Sequence, residues 1–263
     1  MKSLFDRVCT VTVGAKQFAS PPFAIEFEQS FSLGALSSGV VRLFNPAPDT
    51  IKIAEGVPFG NTKKFPCVTV DAGYSNFHGT TMVGDVFDFS VKQQGPDRVL
   101  EMKISDQTYK WSTALINQTF AKQRASTIIQ ILLAKVGITG AVTLAEDKFY
   151  ESFTAVFFAQ AIQQIVRDCG SIYYFRDGTF YIAPSTPNTE TATLLTASTG
   201  LLGKPEKTQR GLKVRTLFLY NIGNGSWVQI KSADVNETGK VINGKKRFSS
   251  FGESVCEFEV VKA

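Results

Sequence analysis

The chain has 263 residues, of which 43% are hydrophobic and 19% are charged, so it can bury a core and lacks the composition of a disordered or collagen-like chain. It carries a net charge of +5 and a single histidine, which excludes a metal site with several histidine ligands. Polar residues interrupt each apolar stretch before it reaches the roughly 18 residues that a membrane-spanning helix requires, so we expect no membrane insertion. Asp6 and Arg7 lie where a signal peptide would be apolar, so we expect no export.

The first hundred residues are predicted to be β structure. Short runs of alternating apolar and polar residues are separated by turns that contain proline, glycine and asparagine. The predicted strands cover residues 8–14, 23–29, 39–45, 67–74, 81–91 and 98–105. Six strands at this spacing are typical of an antiparallel barrel or sandwich.

In the middle of the chain the apolar residues have the spacing of amphipathic helices. Ser126 is predicted to cap a first helix that ends at Gly137, because serine is a good N-cap and glycine a good left-handed stop. Thr154 is predicted to cap a second amphipathic helix that ends at Gly170. These two helices indicate a small α/β unit between the β regions.

A hairpin is predicted directly after the second helix. Asp177 and Gly178 lie between two alternating runs, and Asp-Gly in that place is a strong signal for a two-residue hairpin turn. Tyr173, Phe175 and Phe180 belong to the same hairpin. We expect them to pack beneath the two helices, since cross-strand aromatic pairs explain this stripe more simply than an exposed platform for bases or sugars.

The last third of the chain returns to β patterning. A segment rich in Thr, Ser and Pro precedes predicted strands at 212–220, 226–232, near 240–248 and at 255–262. The predicted fold class is mainly β with an α/β insertion (α+β), made of two antiparallel β-barrel domains and a small domain with two helices and a hairpin. The predicted domains cover residues 1–105, 106–195 and 196–263, and the last can share strands with the first.

The net positive charge comes from the C-terminal sixty residues. Residues 204–263 hold 11 of the 28 basic but only 6 of the 23 acidic side chains. A candidate electrostatic docking face consists of Lys204, Lys207, Arg210, Lys213 and Arg215, and a second basic group consists of Lys240, Lys245, Lys246 and Arg247. These residues fit a solvated rim, a surface that faces DNA, or a surface for an acidic protein. The acidic protein is a better fit than DNA, because counterion release would make a positive channel hold the DNA it must pass.

Two loops carry apolar residues that a partner would bury. Segments 31–36 and 56–66 are rich in glycine, serine and proline, which disfavours strands. The candidate partner-contact residues in them are Phe31, Leu33, Leu36, Phe59 and Phe65. Inward packing is the competing interpretation, since loop aromatics often fold back onto the core.

Few side chains offer catalytic chemistry. His78 lies at the entry of a predicted strand and has none of the sequence partners of a triad. Asp85 and Asp88 are three residues apart, so a regular strand would point them to opposite faces, unlike the paired carboxylates of a glycosidase. No phosphate-binding loop, zinc-binding helix motif or nucleophile elbow is found in the sequence. We therefore predict no catalytic residues, no cofactor and no metal. Four widely spaced cysteines are expected to stay reduced.

The order of the motifs resembles the central baseplate hub proteins of phage tails, which are related to late control D proteins and to the hub of type VI secretion spikes. The residues that carry the resemblance are VRLFNPAPDTIKIAEG (41–56), VTVDAGY (68–74), FHGTTMVGDVFDFSV (77–91), ASTIIQILLAKVGI (125–138), IYYFRDGTFYIAP (172–184), STGLLGKP (198–205) and LKVRTLFLYNIGNGSWVQI (212–230). Each motif is degenerate by itself, and the specificity lies in their order and spacing.

The resemblance implies a structural protein without enzymatic activity. Family members form homotrimers in which each subunit contributes two tube-like barrels to a ring, and the ring adapts the sixfold tail tube to the threefold spike around the channel for the genome. The implied partners are further copies of the chain, the tail tube or distal tail protein, the tail spike and the tape measure protein, while DNA passes without specific binding. The implied location is the tail tip or baseplate of the virion, after synthesis in the host cytoplasm.

Two other functions stay open at this point. A receptor- or glycan-binding distal tail module also uses split β-barrels and aromatic surfaces, and an exposed aromatic shelf would favour it. A peptidoglycan hydrolase fused to a hub is the enzymatic alternative, and it would need an additional domain.

Overall fold

The computed structural model describes residues 6–54, 66–106, 108–185 and 192–262. Within these residues the α-helices are α1 (Pro48–Ala54), α2 (Thr108–Thr113), α3 (Ala125–Val136) and α4 (Phe158–Asp168). The strands are β1 (Arg7–Val13), β2 (Lys16–Ser20), β3 (Ile25–Ser32), β4 (Ser38–Phe44), β5 (Cys67–Tyr74), β6 (Phe77–Gln94), β7 (Asp97–Ser105), β8 (Leu115–Arg124), β9 (Gly140–Val142), β10 (Phe149–Phe157), β11 (Ser171–Arg176), β12 (Thr179–Pro184), β13 (Thr193–Leu195), β14 (Leu201–Lys207), β15 (Leu212–Leu217), β16 (Trp227–Lys231), β17 (Asn236–Ser249) and β18 (Val255–Lys262). No helix in the described part is long and apolar enough to cross a membrane.

Thirteen strands form one large sheet. Its path is β14-β15-β18-β17-β3-β4-β7-β6-β5-β1-β2, with β16 attached to β17 and β13 to β16. All pairs along this path are antiparallel. The prediction of a mainly β, antiparallel fold with an α/β insertion is confirmed.

The predicted tube-like barrel parts do not close into separate barrels among the described strands, which form one open sheet. The reason is the length of β17, which pairs with β16 through its first residues and with β3 through its last ones. Strands from the first hundred residues and from the last seventy therefore belong to the same sheet. Its two edge strands, β14 and β2, do not pair with each other.

A large hydrophobic core lines one face of this sheet. The alternation along β3 shows why, since Ile25 and Phe27 have no exposed surface while Glu26 and Glu28 on the other face are partly exposed. Val11 and Val41 are equally buried in β1 and β4. Successive side chains of a strand point to opposite faces, so the period-two pattern separates core from surface.

A second core belongs to the α/β unit. Here β8 pairs with β10 as a two-stranded ribbon, and β11, β12 and β9 form a three-stranded sheet. Trp111 in α2 stacks on Tyr173 with 5.1 Å between ring centroids, and Phe175 and Phe180 are almost completely buried beside it. The prediction that this aromatic stripe is core is confirmed.

Both helices of the α/β unit begin elsewhere than predicted. Helix α3 begins at Ala125, and its N-terminus is capped by Asp147, whose carboxylate accepts the Ser126 backbone N–H and hydroxyl, both at 2.9 Å. Helix α4 begins at Phe158, because Thr154 lies in β10 and forms a 3.1 Å hydroxyl contact with Thr119 of β8. Both N-cap predictions are therefore wrong.

The predicted hairpin turn is confirmed and joins the two cores. Asp177 and Gly178 both have positive φ, 53° and 77°, as a type I′ turn requires. A Cβ on Gly178 would lie 2.8 Å from the Val83 side chain of β6, so only glycine permits this close approach. The tip of the hairpin thus packs directly on the large sheet.

Candidate partner-docking surfaces

The 31–36 segment is a connection between the two cores. Phe31 is not on a loop, as predicted, but in β3, where it is 5% exposed and belongs to the large core. Leu33 and Leu36 are half-buried, and Leu36 packs against the core of the α/β unit. Leu33 N–H donates to Ile242 and Gly34 N–H to Tyr173. Inward packing therefore accounts for Phe31, because strand β3 extends further than the composition suggested.

Phe59 and Phe65, the other two candidate contact residues, lie outside the described residues. The role of the whole set in partner binding stays a prediction.

The five basic residues of the candidate docking face lie close together at the β14 edge of the large sheet. Lys204 and Lys207 are in β14, Lys213 and Arg215 are in β15, and Arg210 is in the turn between them. All five side chains are exposed. Charged side chains and a proline protect β14 from strand addition, as is typical of edge strands.

Ion pairs divide this basic set into two groups. Lys204 lies 2.8 Å from Asp234, and Arg215 lies 2.6 Å from Glu253 and 3.5 Å from Glu257. Lys207, Arg210 and Lys213 form no such ion pair with the described part of the chain. The latter three are therefore the cations of this set that are most accessible to an external acidic group, and Arg210 also contributes to lowering the pKa of Glu259.

The second basic group does not form one face, because it follows the alternation of β17. Lys245 and Arg247 are exposed, whereas Lys240 and Lys246 are buried. The amine of Lys246 donates to Thr81 Oγ1 at 2.9 Å and to the Tyr220 carbonyl at 2.7 Å. Burial lowers the pKa of this amine, and its partners compensate for the desolvation. Sequence reasoning missed this internal site.

The solvent-facing side of the large sheet carries an ordered band of opposite charges, which we call the ion-pair face. Across the sheet it contains Arg215 of β15, Glu257 of β18, Arg247 of β17, Glu26 and Glu28 of β3, Arg42 of β4, Glu101 and Lys103 of β7, and Asp88 and Lys92 of β6. Cations and anions alternate from strand to strand between β15 and β4, and β7 and β6 each carry both signs. The band is a cross-strand property, so no single strand reveals it.

Arg42 is the centre of the ion-pair face. Its Nε donates to Glu101 at 2.8 Å, and its Nη1 lies 3.5 Å from both Glu26 and Glu28. The hydrogen bond from Arg42 lowers the pKa of Glu101, and that from Lys103 lowers the pKa of Asp88. Both carboxylates are thus held ionised and are already paired within the chain.

Two clefts open on the ion-pair face near the basic edge. The larger, about 500 Å³, is lined by Lys213, Lys245, Glu257 and Glu259, among others. Glu259 is held by Thr208 at 2.8 Å and Asn243 at 2.9 Å, so this carboxylate is already satisfied. The mixed charge of the cleft fits a polar protein segment better than an apolar small molecule.

The candidate catalytic residues do not assemble a site. His78 pairs with Asp71 at 2.8 Å, and both side chains are at least one-third exposed. The expectation that Asp85 and Asp88 face opposite sides is wrong, because a bulge between Val86 and Asp88 places them opposite Ser105 and Lys103, two residues apart on β7. Burial raises the pKa of Asp85, whereas Asp88 is bound to Lys103, and neither shift involves the other carboxylate. Among the described residues no cluster of three His, Cys, Asp or Glu side chains could hold a metal ion.

Solved structures with the same fold come from phage tails and from secretion machinery. The 43 kDa tail protein of prophage MuSo2 from Shewanella oneidensis matches with a TM-score of 0.69 and 11% identity over 97% of this chain and 98% of that chain. A tail protein from Neisseria meningitidis matches with 0.67 and 10% identity over 98% and 97%. The c3393 protein of E. coli, a component of the type VI secretion system, matches with 0.67 and 9% identity over 96% and 74%.

At such low identity these matches establish the fold alone. No curated protein sequence matches the chain. A family model for the baseplate hub protein gp41 matches residues 52–241, which is well over half of the chain and includes the hairpin, both long helices and the basic edge. The chain therefore belongs to the baseplate hub gp41 family of phage tail structural proteins.

Proposed function

We propose that this chain is the hub of a phage baseplate or tail tip and forms a homotrimeric ring, which adapts the sixfold tail tube to the threefold spike and surrounds the DNA exit channel. The observation that carries the proposal is the match of residues 52–241 to a baseplate hub family. The protein would be made in the host cytoplasm and incorporated into the virion tail. A ring requires repeated subunit contacts that close by rotation, and it requires no catalytic group.

The ion-pair face supports passage of DNA without specific binding. Its three arginines, Arg42, Arg215 and Arg247, all have carboxylate partners within the chain. Affinity for DNA depends on cations that replace the counterions of phosphates, and a paired guanidinium is a poor candidate for that role. A surface of this kind can face moving DNA and retain little of it.

The basic edge supports docking to an acidic neighbour in the tail. Lys207, Arg210 and Lys213 are exposed and have no ion pair with the described residues. Complementary charge steers association and fixes the docking register. The tail tube or distal tail protein is the partner we assign to this edge, and the spike and tape measure protein would bind elsewhere on the ring.

The glycan-binding alternative has little support in the described structure. Both tryptophans, Trp111 and Trp227, are 7% exposed, and Tyr173 and Tyr174 are similarly buried. Stacking on sugars requires exposed aromatic faces with polar neighbours, and these rings are used in packing instead. Among the described residues the exposed aromatic side chains are five phenylalanines, which have no polar group of their own to bind a sugar: Phe23, Phe87, Phe149, Phe157 and Phe251.

Light scattering tests the assembly directly. We expect the purified chain to have the mass of a trimer, or to be a monomer that becomes a trimer when the spike is added. A stable dimer or hexamer, both alone and with the spike, would contradict the proposal.

A further inference from the structure

The α/β unit, from α2 to β12, is joined to the large sheet by two connections of the chain. The chain enters it between β7 and α2 and leaves it between β12 and β13. None of its described strands pairs with a strand of the large sheet, and it has a hydrophobic core of its own. Two bodies of this kind move relative to each other unless the contacts between them prevent it.

Hydrogen bonds form part of the contact between the two bodies. The Gly34 N–H donates to the Tyr173 carbonyl at 2.8 Å, and the Tyr173 hydroxyl donates to the Gly34 carbonyl. The amine of Lys240 in β17 donates to the Pro184 carbonyl at 3.4 Å. Water can replace such bonds, so a polar contact within a chain separates at a lower free energy than an apolar core.

A buried carboxylate lies where the chain enters the α/β unit. Asp106 directly follows β7, is 2% exposed and accepts the Ser37 backbone N–H at 2.9 Å. Ser37 is equally buried and ends the 33–37 segment, in which Gly34 and Leu36 contact the α/β unit. The ends of strands normally meet water, so we attribute the burial of Asp106 to the docked α/β unit.

The charged groups around Asp106 do not neutralise it. Burial raises the pKa of Asp106 to about 6, and the negative charge of Asp177 at the hairpin tip adds to the increase. Asp106 forms no ion pair among the described residues, whereas Asp177 has an exposed side chain and interacts with Arg176 and Lys246. The other titratable groups of this cluster are Cys256 beside Lys246, and Tyr174 and Tyr181 beside Arg176.

We propose that docking of the α/β unit on the large sheet depends on pH, because the unit is held firmly while Asp106 carries a proton and detaches more often once Asp106 is ionised. An ionised carboxylate is costly to bury without a cation, and detachment gives it access to water. The motion takes place within one subunit, so the proposal goes beyond the ring and does not depend on it.

The direction of the effect follows from the raised pKa of Asp106. A carboxyl group whose pKa is higher in the docked state stabilises that state fully below the ordinary pKa of an aspartate. This stabilisation is lost as the pH rises through about 6. Acidification should therefore close the contact and neutral pH should loosen it.

Hydrogen exchange of single amides measures the detachment in the full chain, with glycine labelled by nitrogen-15 for NMR. The Gly34 N–H bonds across the contact, whereas the Gly225 N–H donates to the Val241 carbonyl of β17 at 3.0 Å, within the large sheet. Relative to intrinsic exchange rates, Gly34 should be less protected than Gly225, as an opening short of complete unfolding requires. Protection of Gly34 should rise at least tenfold when the pH is lowered from about 7.5 to about 4.5.

Three variants of similar shape identify the group that titrates. Asp106→Asn should abolish the pH response of Gly34. Asp177→Asn, which suits the hairpin turn, should keep the response but shift its midpoint to lower pH, because a neighbouring negative charge is removed. Asp88→Asn replaces an exposed carboxylate of the ion-pair face as the matched control and should leave the response unchanged.

The native chain alone can refute the proposal, even if Asp106→Asn does not fold. Equal protection of Gly34 and Gly225 would show that the α/β unit does not detach before the whole chain unfolds. Protection of Gly34 that is independent of pH would show that detachment does not expose Asp106. A response that persists in folded Asp106→Asn would assign the titration to another group and would equally contradict the proposal.

Discussion

The outer face of the large sheet and the outer face of the β8–β10 ribbon have the same backbone geometry and opposite surface chemistry. On the large sheet, outward positions carry charges that are paired across strands, as at Arg42 and Glu101, 2.8 Å apart. On the ribbon, outward positions carry hydroxyl and apolar groups, as at Thr154 and Val156. Paired charges are stable in contact with water, whereas an uncharged strand surface with a free edge is stabilised when another molecule covers it. The first face is therefore suited to contact with water, whereas the second is not stabilised by charge pairing.

The largest expected effect on stability comes from truncating a buried side chain on the inner side of the ribbon. Phe120→Ala should lower the free energy of unfolding by about 3–5 kcal/mol, because it leaves a cavity in the α/β core. Val156→Ala on the outer face should cost less than about 0.5 kcal/mol in the monomer. Denaturant titration measures both, and equal costs would mean that the outer face is also packed within one chain.

A buried carboxylate that has no cationic partner among the described residues, Asp106, sharpens the contrast with the ion-pair face. Asp106 accepts the Ser37 backbone N–H at 2.9 Å, and burial raises its pKa to about 6. Since this pKa is raised above the value of the unfolded chain, the contribution of Asp106 to stability is complete below that unfolded value and is lost as the pH rises through about 6.

When the pH is lowered from about 7.5 to about 4, the free energy of unfolding of the native chain should therefore rise by about 2–3 kcal/mol relative to that of Asp106→Asn. Urea titrations of both proteins across this range measure the difference. A difference that does not change with pH would show that Asp106 keeps an ordinary pKa in the folded chain.

Substitutions on the ion-pair face should change the free energy of unfolding less than those at Phe120 and Asp106. Arg42→Ala should lower the free energy of unfolding by about 1–2 kcal/mol, because Glu101, Glu26 and Glu28 lose their shared cation and repel one another. Lys103→Ala, which removes an exposed pair with Asp88, should have a much smaller effect on the free energy of unfolding. The Arg42 effect should shrink at about 1 M salt; an effect that is independent of salt would argue for packing rather than charge.

The smallest effect on stability is expected at the basic edge. Reversal of Lys207, Arg210 and Lys213 to Glu should change the free energy of unfolding by less than about 1 kcal/mol, since none of the three has an ion pair with the described residues and only Lys213 lies opposite carboxylates, those of Glu206 and Glu259. Joining to the adjacent tail protein should nevertheless be slowed or blocked, and duplex DNA binding at physiological salt should be negligible before and after the change. Normal assembly of the variant, or tight DNA binding by the native chain, would refute the docking assignment.

Sequence patterns predicted local structure well where the backbone conformation depends on residues that are close together in the chain. The alternation in β1, β3 and β5 identified strands, and Asp177-Gly178 identified a hairpin, because these signals lie within a few residues. Thr154 was misassigned because the apolar spacing of α4 extends backwards into β10. Phe31 was misassigned because β3 continues into a segment with loop-like composition.

Features that depend on strand pairing could not be read from the sequence. The bulge at Val86 and Asp88 is defined only by the register with β7. The burial of Lys246 depends on Thr81 and Tyr220, which are distant in the chain, and the ion-pair face depends on which strands are neighbours. The uncharged stretches of the ribbon are visible in the sequence, but their exposure is a property of the fold.

Imaging of purified tail tips by electron cryomicroscopy tests the central claim most directly. The account predicts a ring of three copies of this chain between a sixfold tube and a threefold spike. A tail tip that contains six copies of the chain, or none, would contradict it.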